Sequence, residues 1–299
     1  MIKISVDQHK SRQSRKRGVH FNRQRRVALP TQYIPVAIGL ESTASGGVAV
    51  LSGNTFNEPK AGPAHILPGL AHTEFSSKLL AEFDHHVHKF SKDCTLLLEG
   101  DPCQMVYCVL DGWLSLSKSL EHGQTQIIDF ALRGDIVDPA TADGETSSVT
   151  INGLTPGTLA SLHRSTWEKM ITDWPELRQW LYKKDAARQA RHSERMLRLG
   201  KGTAEMRVAY ALLELHLRVS TLSGSALPEF HIPMTQQQIG DFVGLSSVHV
   251  CRTMRRMSRN GILAMCDHMD IRILNPQALS RIAGVDHERL KREIVPGNT

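Results

Sequence analysis

Residues 234–259 read MTQQQIGDFVGLSSVHVCRTMRRMSR, and this stretch decides the fold. Thr235 can cap a short helix, with Gln238 three residues later to return the capping-box hydrogen bond. Gly244 tolerates the positive φ that ends such a helix, and Ser246 can cap a second one. One side of the first helix is apolar at Ile239, Phe242 and Val243. The stretch therefore predicts two short helices joined by a tight turn, a helix-turn-helix.

The second helix of this pair has two contrasting sides. Val250, Met254 and Met257 follow helical spacing and are expected to face inward. The opposite side carries hydrogen-bond donors and positive charge, with no carboxylate expected to neutralise them: Ser247, Val248, His249, Arg252, Arg255, Arg256 and Arg259. Such a side suits a major groove, where side chains meet base edges and arginines meet phosphates. The alternative is an ordinary helical hairpin with a solvated arginine surface.

The residues after the second helix complete a larger pattern. Gly261 ends the helix, and two short apolar runs at 262–266 and 271–274 flank the polar residues between them. This is the pattern of a small β-hairpin, or wing. A winged helix-turn-helix is the simplest interpretation of the C-terminal third.

The middle of the chain has the sequence pattern of an antiparallel β-roll. A helix is predicted at 75–90, and short strand-like runs follow at 95–98, 106–110, 113–117, 126–130, 148–151 and 158–162. Glycine-containing turns separate these runs closely, as tight reversals require. A long helix then begins at Trp174-Pro175-Glu176 and reaches about Leu199. A hinge at 200–202 precedes a further helix at 204–219.

These features resemble the CRP/FNR family of bacterial regulators, the cyclic AMP receptor and fumarate-nitrate regulators. The likeness is most specific at 234–263, and the runs Leu-Leu-Leu-Glu-Gly-Asp, Val-Leu-Asp-Gly and Gly-Asp-Ile resemble the family's sensory β-roll, so that the resemblance covers about 75–280. It implies that Arg252 reads a base and that Gln236 and His249 touch phosphate or flanking groups. Val248 stands where the common family pattern has glutamate. Because valine can touch a thymine methyl but cannot accept from a cytosine amino group, the usual half-site is not transferred unchanged.

The fold class expected is α+β, with an N-terminal antiparallel β-roll of the cyclic-nucleotide-binding jelly-roll type, a long dimerisation helix and a C-terminal winged helix-turn-helix. The predicted divisions are a basic, disordered extension at 1–70, the sensory β-roll at 71–172, the dimerisation helix and hinge at 173–200, and the DNA-binding domain at 201–299. Base-reading roles are predicted for Ser247, Val248, His249 and Arg252. Backbone contacts are predicted for Thr235, Gln236, Ser246, Arg255, Arg256 and Arg259.

The long helix is where members of the family dimerise. Its apolar residues lie along one irregular side: Leu177, Trp180, Leu181, Ala187, Ala190 and Leu197. Lys184, Arg188 and Arg191 interrupt this seam, so two interpretations stay open. Either the helix pairs with a second copy, or it is an amphipathic helix packed only on its own β-roll.

The sensory region lacks the residues of the known effector sites. The segment 134–163 contains no lysine or arginine but four carboxylates, whereas a buried phosphate diester needs a positive partner. We therefore expect that the effector is not a cyclic nucleotide. Iron-sulfur binding needs a close cysteine group, and Cys94, Cys103 and Cys108 are interpreted as small buried residues. His85 and His88 beside Asp84 are interpreted as helix residues rather than a metal site. No residue identifies itself as a haem ligand, and no cofactor or metal is expected.

Cys251 precedes Arg252 on the second helix, and two interpretations of it stay open. Neighbouring arginines can favour its thiolate, and oxidation there would place bulk and negative charge beside phosphate, which makes a redox switch. Alternatively, the position simply requires a small residue that packs against the wing.

Bulk composition limits the remaining classes. The 299 residues are 40% hydrophobic, and no stretch approaches the roughly 20 apolar residues of a membrane span. Without an export signal, we expect a cytoplasmic protein with reduced cysteines. Residues 1–26 hold nine Lys and Arg against one Asp. This tail either adds non-specific phosphate contacts or is an extension without function, such as residues ahead of a wrongly assigned start codon.

The sequence thus predicts a transcription regulator, not an enzyme, because it has no nucleophile elbow, zinc-protease helix or dinucleotide fingerprint. Its expected partners are double-stranded DNA bound at a two-fold related site, a second copy of the chain and, for an activator, RNA polymerase; no membrane is expected. The alternative is a sensor or interaction protein that uses the same β-roll without binding DNA. Salt-dependent retention on random-sequence DNA separates the two.

Overall fold

The computed structural model describes residues 74–83, 86–222, 230–266 and 270–295. The predicted extension at 1–70, together with Asp84 and His85, lies outside these ranges. Among the described helices, none is both long enough and apolar enough to cross a membrane.

The first part is a β-roll made of two four-stranded antiparallel sheets. It begins with helix α1 (Glu74–Phe83), and its strands are β1 (Val87–Phe90), β2 (Thr95–Leu97), β3 (Met105–Asp111), β4 (Leu114–Ser119), β5 (Thr125–Ala131), β6 (Ile136–Val137), β7 (Thr150–Gly153) and β8 (Gly157–His163). One sheet has the order β1-β8-β3-β6 and the other β2-β7-β4-β5. Residues from both sheets, such as Val109 and Leu114, are fully or almost fully buried in the core between them.

Two parts of the roll differ from the sequence predictions. The helix predicted at 75–90 ends at Phe83, and β1 replaces its second half, pairing Val87 with Ala160 of β8. Tertiary pairing with β8 decides this segment, since its four residues are too few to show a period of two. The histidine pair is therefore not on one helical face, because His88 lies in β1. Strand β6 was not predicted because it has only two residues.

Two helices connect the roll to the C-terminal part, α2 (Arg164–Asp173) and α3 (Pro175–Lys201), and α4 (Ala204–Leu222) is the first helix of the C-terminal part. Pro175 occupies the first turn of α3, where its missing N–H is not needed. Gly202 caps the end of α3 in an extended conformation, so the predicted break between α3 and α4 is present.

The C-terminal part contains α5 (Gln236–Val243) and α6 (Ser247–Arg259), followed by a wing. The wing strands β10 (Leu263–Cys266) and β11 (Asp270–Ile273) form a hairpin, to which β9 (Phe230–His231) adds a third strand. Two helices that the sequence analysis did not identify follow: α7 (Pro276–Ala283) and α8 (His287–Ile294). Helix α7 packs on α4, and α8 packs on α3 and α4.

The C-terminal part packs directly on the roll. The ring of Phe130 in β5 lies 4.6 Å from that of Phe242 in α5, measured between centroids. Ile127, Phe130 and Leu154 of the roll share one continuous apolar core with α4, α5 and α6. The side chain of Gln126 also donates to the carbonyl of Phe242, at 3.0 Å.

Helix α3 lies on the roll with part of its apolar residues. Leu177, Trp180 and Ala187, which belong to the predicted seam, are buried within the monomer. The alternative interpretation therefore describes these three residues correctly. Leu197, also of the predicted seam, stays 57% exposed, and it lies beside further exposed apolar residues of α3, namely Tyr182 at 75% and Met196 at 72% of their full surface.

Candidate nucleic-acid interface

The turn between α5 and α6 is built by local contacts that the sequence predicts. The Thr235 hydroxyl accepts from the Gln238 amide at 3.1 Å, and the Gln238 side-chain oxygen accepts from the Thr235 amide at 2.8 Å. Gly244 ends α5 at φ 65°, the left-handed region that favours glycine. Gly240 is a further requirement, because an added Cβ there would lie 2.4 Å from the carbonyl oxygen of Leu245. Close packing of the turn on α5 thus depends on two glycines.

Helix α6 separates its two sides as predicted. Val250, Met254 and Met257 are at most 3% exposed and lie in the shared core. Ser247 is half-buried, whereas the remaining side chains of the predicted DNA-facing side are exposed: Val248, His249, Arg252, Arg255, Arg256 and Arg259. The roll contacts α5 and leaves this side of α6 open.

The first turn of α6 holds its histidine in a defined position. Ser246 Oγ accepts from the His249 amide at 3.4 Å, as an N-cap does, and also lies 2.9 Å from His249 Nδ1. The second contact leaves Nε2 as the ring nitrogen available to another molecule. Val248, next to it, is an aliphatic side chain that is 55% exposed.

The arginines of α6 differ in what surrounds them. Arg252, Arg255 and Arg259 make no ion pair with any other residue that the structure describes. Arg256 Nη2, however, lies 2.6 Å from Glu205 Oε2 of α4. The expectation that no carboxylate neutralises this side is therefore wrong for Arg256, because a residue 51 positions earlier reaches it.

Thr235 and Gln236 lie at the start of α5, where Thr235 is exposed and Gln236 half-buried. The structure thus places all the predicted DNA-contacting residues on the two helices of one turn. The N-terminal ends of α5 and α6 also carry the positive partial charge of the helix dipole.

The thiols of the roll and of α6 have different surroundings. Burial raises the pKa of the Cys108 thiol to about 12 and also raises that of Cys103. These two cysteines are buried, as the sequence analysis expected, whereas Cys94, which was expected to be buried as well, is half-buried. Cys251 on α6 is also half-buried, and all four thiols are free. In the described ranges no three Cys, His, Asp or Glu side chains are grouped to hold a metal ion.

The cations that interrupt the predicted seam of α3 have another place in the structure. Lys184 Nζ lies 3.2 Å from Asp135 Oδ1, and Arg188 donates to the carbonyl of Ile136 at 3.1 Å. Arg191 and Arg195 reach Asp129 of β5. The segment 134–163 itself lacks cations, but α3 supplies them to a cavity of about 560 Å³ between this segment, α3 and α4. Sequence reasoning missed this because it depends on how α3 crosses the roll.

Comparison with known proteins agrees with this architecture. Residues 206–282 match the Crp-like helix-turn-helix domain, and residues 87–173 match the cyclic nucleotide-binding domain. The two matches together cover more than half of the chain and correspond to the winged helix-turn-helix and to the roll with α2.

Individual relatives extend the match across both parts. The chain is 30% identical to the nitrogen fixation regulation protein FixK of Bradyrhizobium diazoefficiens, over 68% of this chain and 85% of that protein. It is also 30% identical to the transcriptional activator protein FnrA of Stutzerimonas stutzeri, over 64% and 77%. The structure of FixK2 from Bradyrhizobium japonicum superposes with a TM-score of 0.58 at 27% identity, over 66% and 96%. The chain belongs to the CRP/FNR family of DNA-binding transcription regulators.

Proposed function

We propose that the protein binds a two-fold related DNA site as a homodimer and inserts α6 of each protomer into the major groove. The observation that carries this proposal is the open side of α6, on which three arginines without a carboxylate partner among the described residues surround exposed donors. Helix placement in adjacent major grooves requires half-sites about one turn, roughly 34 Å, apart.

Base reading is assigned to the first two turns of α6: Ser247, Val248, His249 and Arg252. Arg252 offers a planar fork that matches the O6 and N7 acceptors of guanine. Val248 provides an apolar contact for a thymine methyl group, and its exposure in the monomer supports this role. The Ser246 contact holds the His249 ring in place, which supports a role for its other ring nitrogen in the same groove.

Backbone contacts are assigned to side chains around these readers: Thr235, Gln236, Ser246, Arg255, Arg256 and Arg259. Arg255 and Arg259 are free to meet phosphates, whereas Arg256 must first leave Glu205. Phosphate contacts position the helix and give salt-dependent affinity, while the base contacts give sequence preference.

Dimerisation is assigned to α3, in the division of the chain at 71–172, 173–200 and 201–299 given above. The exposed stripe that includes Tyr182, Met196 and Leu197 supports this assignment, since three large apolar side chains on one helix are otherwise left in water. A protein of this kind acts on chromosomal DNA in the cytoplasm and works by binding rather than by catalysis. As an activator it would contact RNA polymerase.

Two matched variants of α6 test the proposed function. Arg252→Ala should weaken the preferred site by about 1 to 3 kcal/mol and relax the preference at one base position. Arg259→Ala should weaken all sequences alike and lower the slope of log K against log salt by about 2, one contact per protomer. The preferred site is obtained by selection from a random-sequence pool with the wild-type protein. Equal loss on all sequences for both variants would show that the roles are assigned wrongly.

A further inference from the structure

Five charged side chains meet where the roll, α3 and α4 come together. Asp129 comes from β5, Arg191 and Arg195 from α3, and Glu214 and Arg218 from α4; we refer to them as the charge latch. Each of the five is at most 8% exposed. Buried charges of this kind persist only when they are paired, because the loss of hydration is costly.

The two acids of the charge latch share the three arginines. Asp129 Oδ1 lies 3.1 Å from Arg195 Nη2 and 3.4 Å from Arg218 Nη1, and its Oδ2 lies 3.5 Å from Arg191 Nη2. Glu214 is fully buried, with its carboxylate oxygens 3.3 Å from Arg195 Nε and 3.7 Å from atoms of Arg191 and Arg218. Neither acid therefore has a single partner, and the cluster is one unit.

The charge latch spans the hinge. Arg191 and Arg195 precede the break at Gly202, whereas Glu214 and Arg218 follow it. Arg218 also reaches the roll through the carbonyl of Phe130 and through Asp135, both at 2.8 Å. A change in the angle between α3 and α4 must therefore separate these pairs.

The apolar contact beside the charge latch does not by itself fix the orientation of the C-terminal part on the roll. The rings of Phe130 and Phe242 touch, and the guanidinium of Arg195 lies 4.8 Å from the Phe242 ring. Apolar surfaces tolerate sliding, because the hydrophobic effect depends on area and not on direction. Buried ionic groups depend on distance and direction, and few arrangements keep Asp129 hydrogen-bonded to Arg191, Arg195 and Arg218. The same arrangement holds Glu214, whose oxygens have no hydrogen-bond partner, within ion-pair distance of these arginines.

The charge latch leaves the DNA-facing side of α6 uncovered. None of the five residues belongs to α5 or α6, and Arg252, Arg255 and Arg259 stay exposed while the charge latch is closed. The closed state is thus compatible with DNA binding by each protomer.

We propose that the charge latch is an orientation device, which holds the winged helix-turn-helix at one angle on the roll and thereby sets the spacing of the two α6 helices in a dimer. This inference rests on the proposed function. The affinity for a DNA site with two half-sites depends on that spacing. The affinity for random DNA, which comes from non-specific contacts with phosphates, does not. Opening the charge latch should therefore reduce sequence-specific binding and leave general DNA binding intact.

Asp129→Asn in the full chain tests the proposal, with Glu99→Gln as the control. Glu99 pairs with Lys118 at 2.7 Å within the roll, so the control makes the same acid-to-amide change without touching α3 or α4. Amide hydrogen exchange at 202–206 and in α5 reports the docking without DNA. Binding is measured on the two-fold related duplex selected by wild-type protein and on a random duplex of equal length.

For Asp129→Asn we expect exchange at 202–206 and in α5 to be at least tenfold faster, affinity for the selected duplex to fall at least tenfold, and affinity for the random duplex to change less than twofold. The control should match the wild type in all three. Unchanged exchange, or faster exchange with unchanged preference for the selected duplex, overturns the proposal. A wild-type protein without DNA preference refutes the proposed function, and faster exchange in the variant then still supports the charge latch as a lock on the hinge.

A second variant covers the case in which Asp129→Asn does not fold. The double variant Asp129→Leu with Arg218→Met removes one acid and one base together, and apolar replacement of a buried pair commonly preserves stability. With far-ultraviolet circular dichroism unchanged, the same faster exchange and the same selective loss of affinity are expected. Wild-type exchange and wild-type preference in this variant would overturn the proposal.

Discussion

Glu205→Gln should strengthen DNA binding, because Glu205 holds Arg256 back from phosphate. The two side chains are 28% and 56% exposed and 2.6 Å apart, so their pair is a surface pair worth about 0 to 1 kcal/mol. When a dimer binds DNA and Arg256 moves from Glu205 to phosphate in both protomers, breaking the two ion pairs reduces the binding free energy by up to about 2 kcal/mol. Removing the carboxylate returns that energy, which corresponds to a gain in affinity of up to about thirtyfold.

Fluorescence anisotropy with random and selected duplexes, at two salt concentrations, measures this gain. Glu293→Gln is the matched control, since Glu293 pairs with Arg289 on α8 at 2.8 Å and the change in net charge is identical. We expect Glu205→Gln to exceed the control on both duplexes, with a difference that shrinks as salt screens it. Equal affinities for the two variants would refute the reasoning. Weaker binding by Glu205→Gln would refute it as well, because it would show that the carboxylate positions Arg256 for DNA.

Three further outcomes are expected. Met196→Glu should raise the dimer dissociation constant at least tenfold in analytical ultracentrifugation, because it places a charge on the exposed stripe of α3. Leu120→Glu, at another exposed apolar position, should leave it unchanged, and equal effects of the two variants would contradict the assignment. Burial alone would raise the pKa values of Asp129 and Asp135, but facing cations outweigh it and hold both below the usual range. Their stabilisation is therefore present above about pH 4 and is lost as the pH falls, by about 1 kcal/mol per group at pH 3. Urea unfolding should show a smaller acid loss for Asp129→Asn, and an equal loss would contradict this. Peroxide should weaken DNA binding of the wild type but not of Cys251→Ser, and equal responses would leave Cys251 a packing residue.

The helix-turn-helix was predictable because its signals are local. Thr235, Gly244 and Ser246 act within three or four residues of their own positions, and the inward side of α6 follows the helical period. The same holds for the tight turns of the roll. Strand β1 and the end of α1 were not predicted correctly, because pairing with β8, some 70 positions later, decides them.

The electrostatic partners were not predictable for a related reason. Glu205 and Arg256 are 51 positions apart, and Arg191 and Asp129 are 62 apart, so no spacing rule joins them. In the sequence, the cations of α3 interrupt the predicted apolar seam. In the structure Lys184 and Arg191 pair with acids of the roll, and Arg188 donates to a backbone carbonyl of the roll. These contacts explain why a helix with so many cations still packs on its own domain.

The shared core of the roll and the winged helix-turn-helix has a consequence for protein engineering. A chimera that joins α4 to α8 of this chain to a foreign sensor would bring Arg218 against a surface that lacks Asp129 and Asp135. Glu214 would lose Arg191 and Arg195 of α3. Breaking a buried pair by removing one partner costs about 3 to 5 kcal/mol, and Phe242 would lose its aromatic neighbour as well. The winged helix-turn-helix is therefore not an interchangeable module, and a successful transplant will have to carry residues 129–135 and α3 with it.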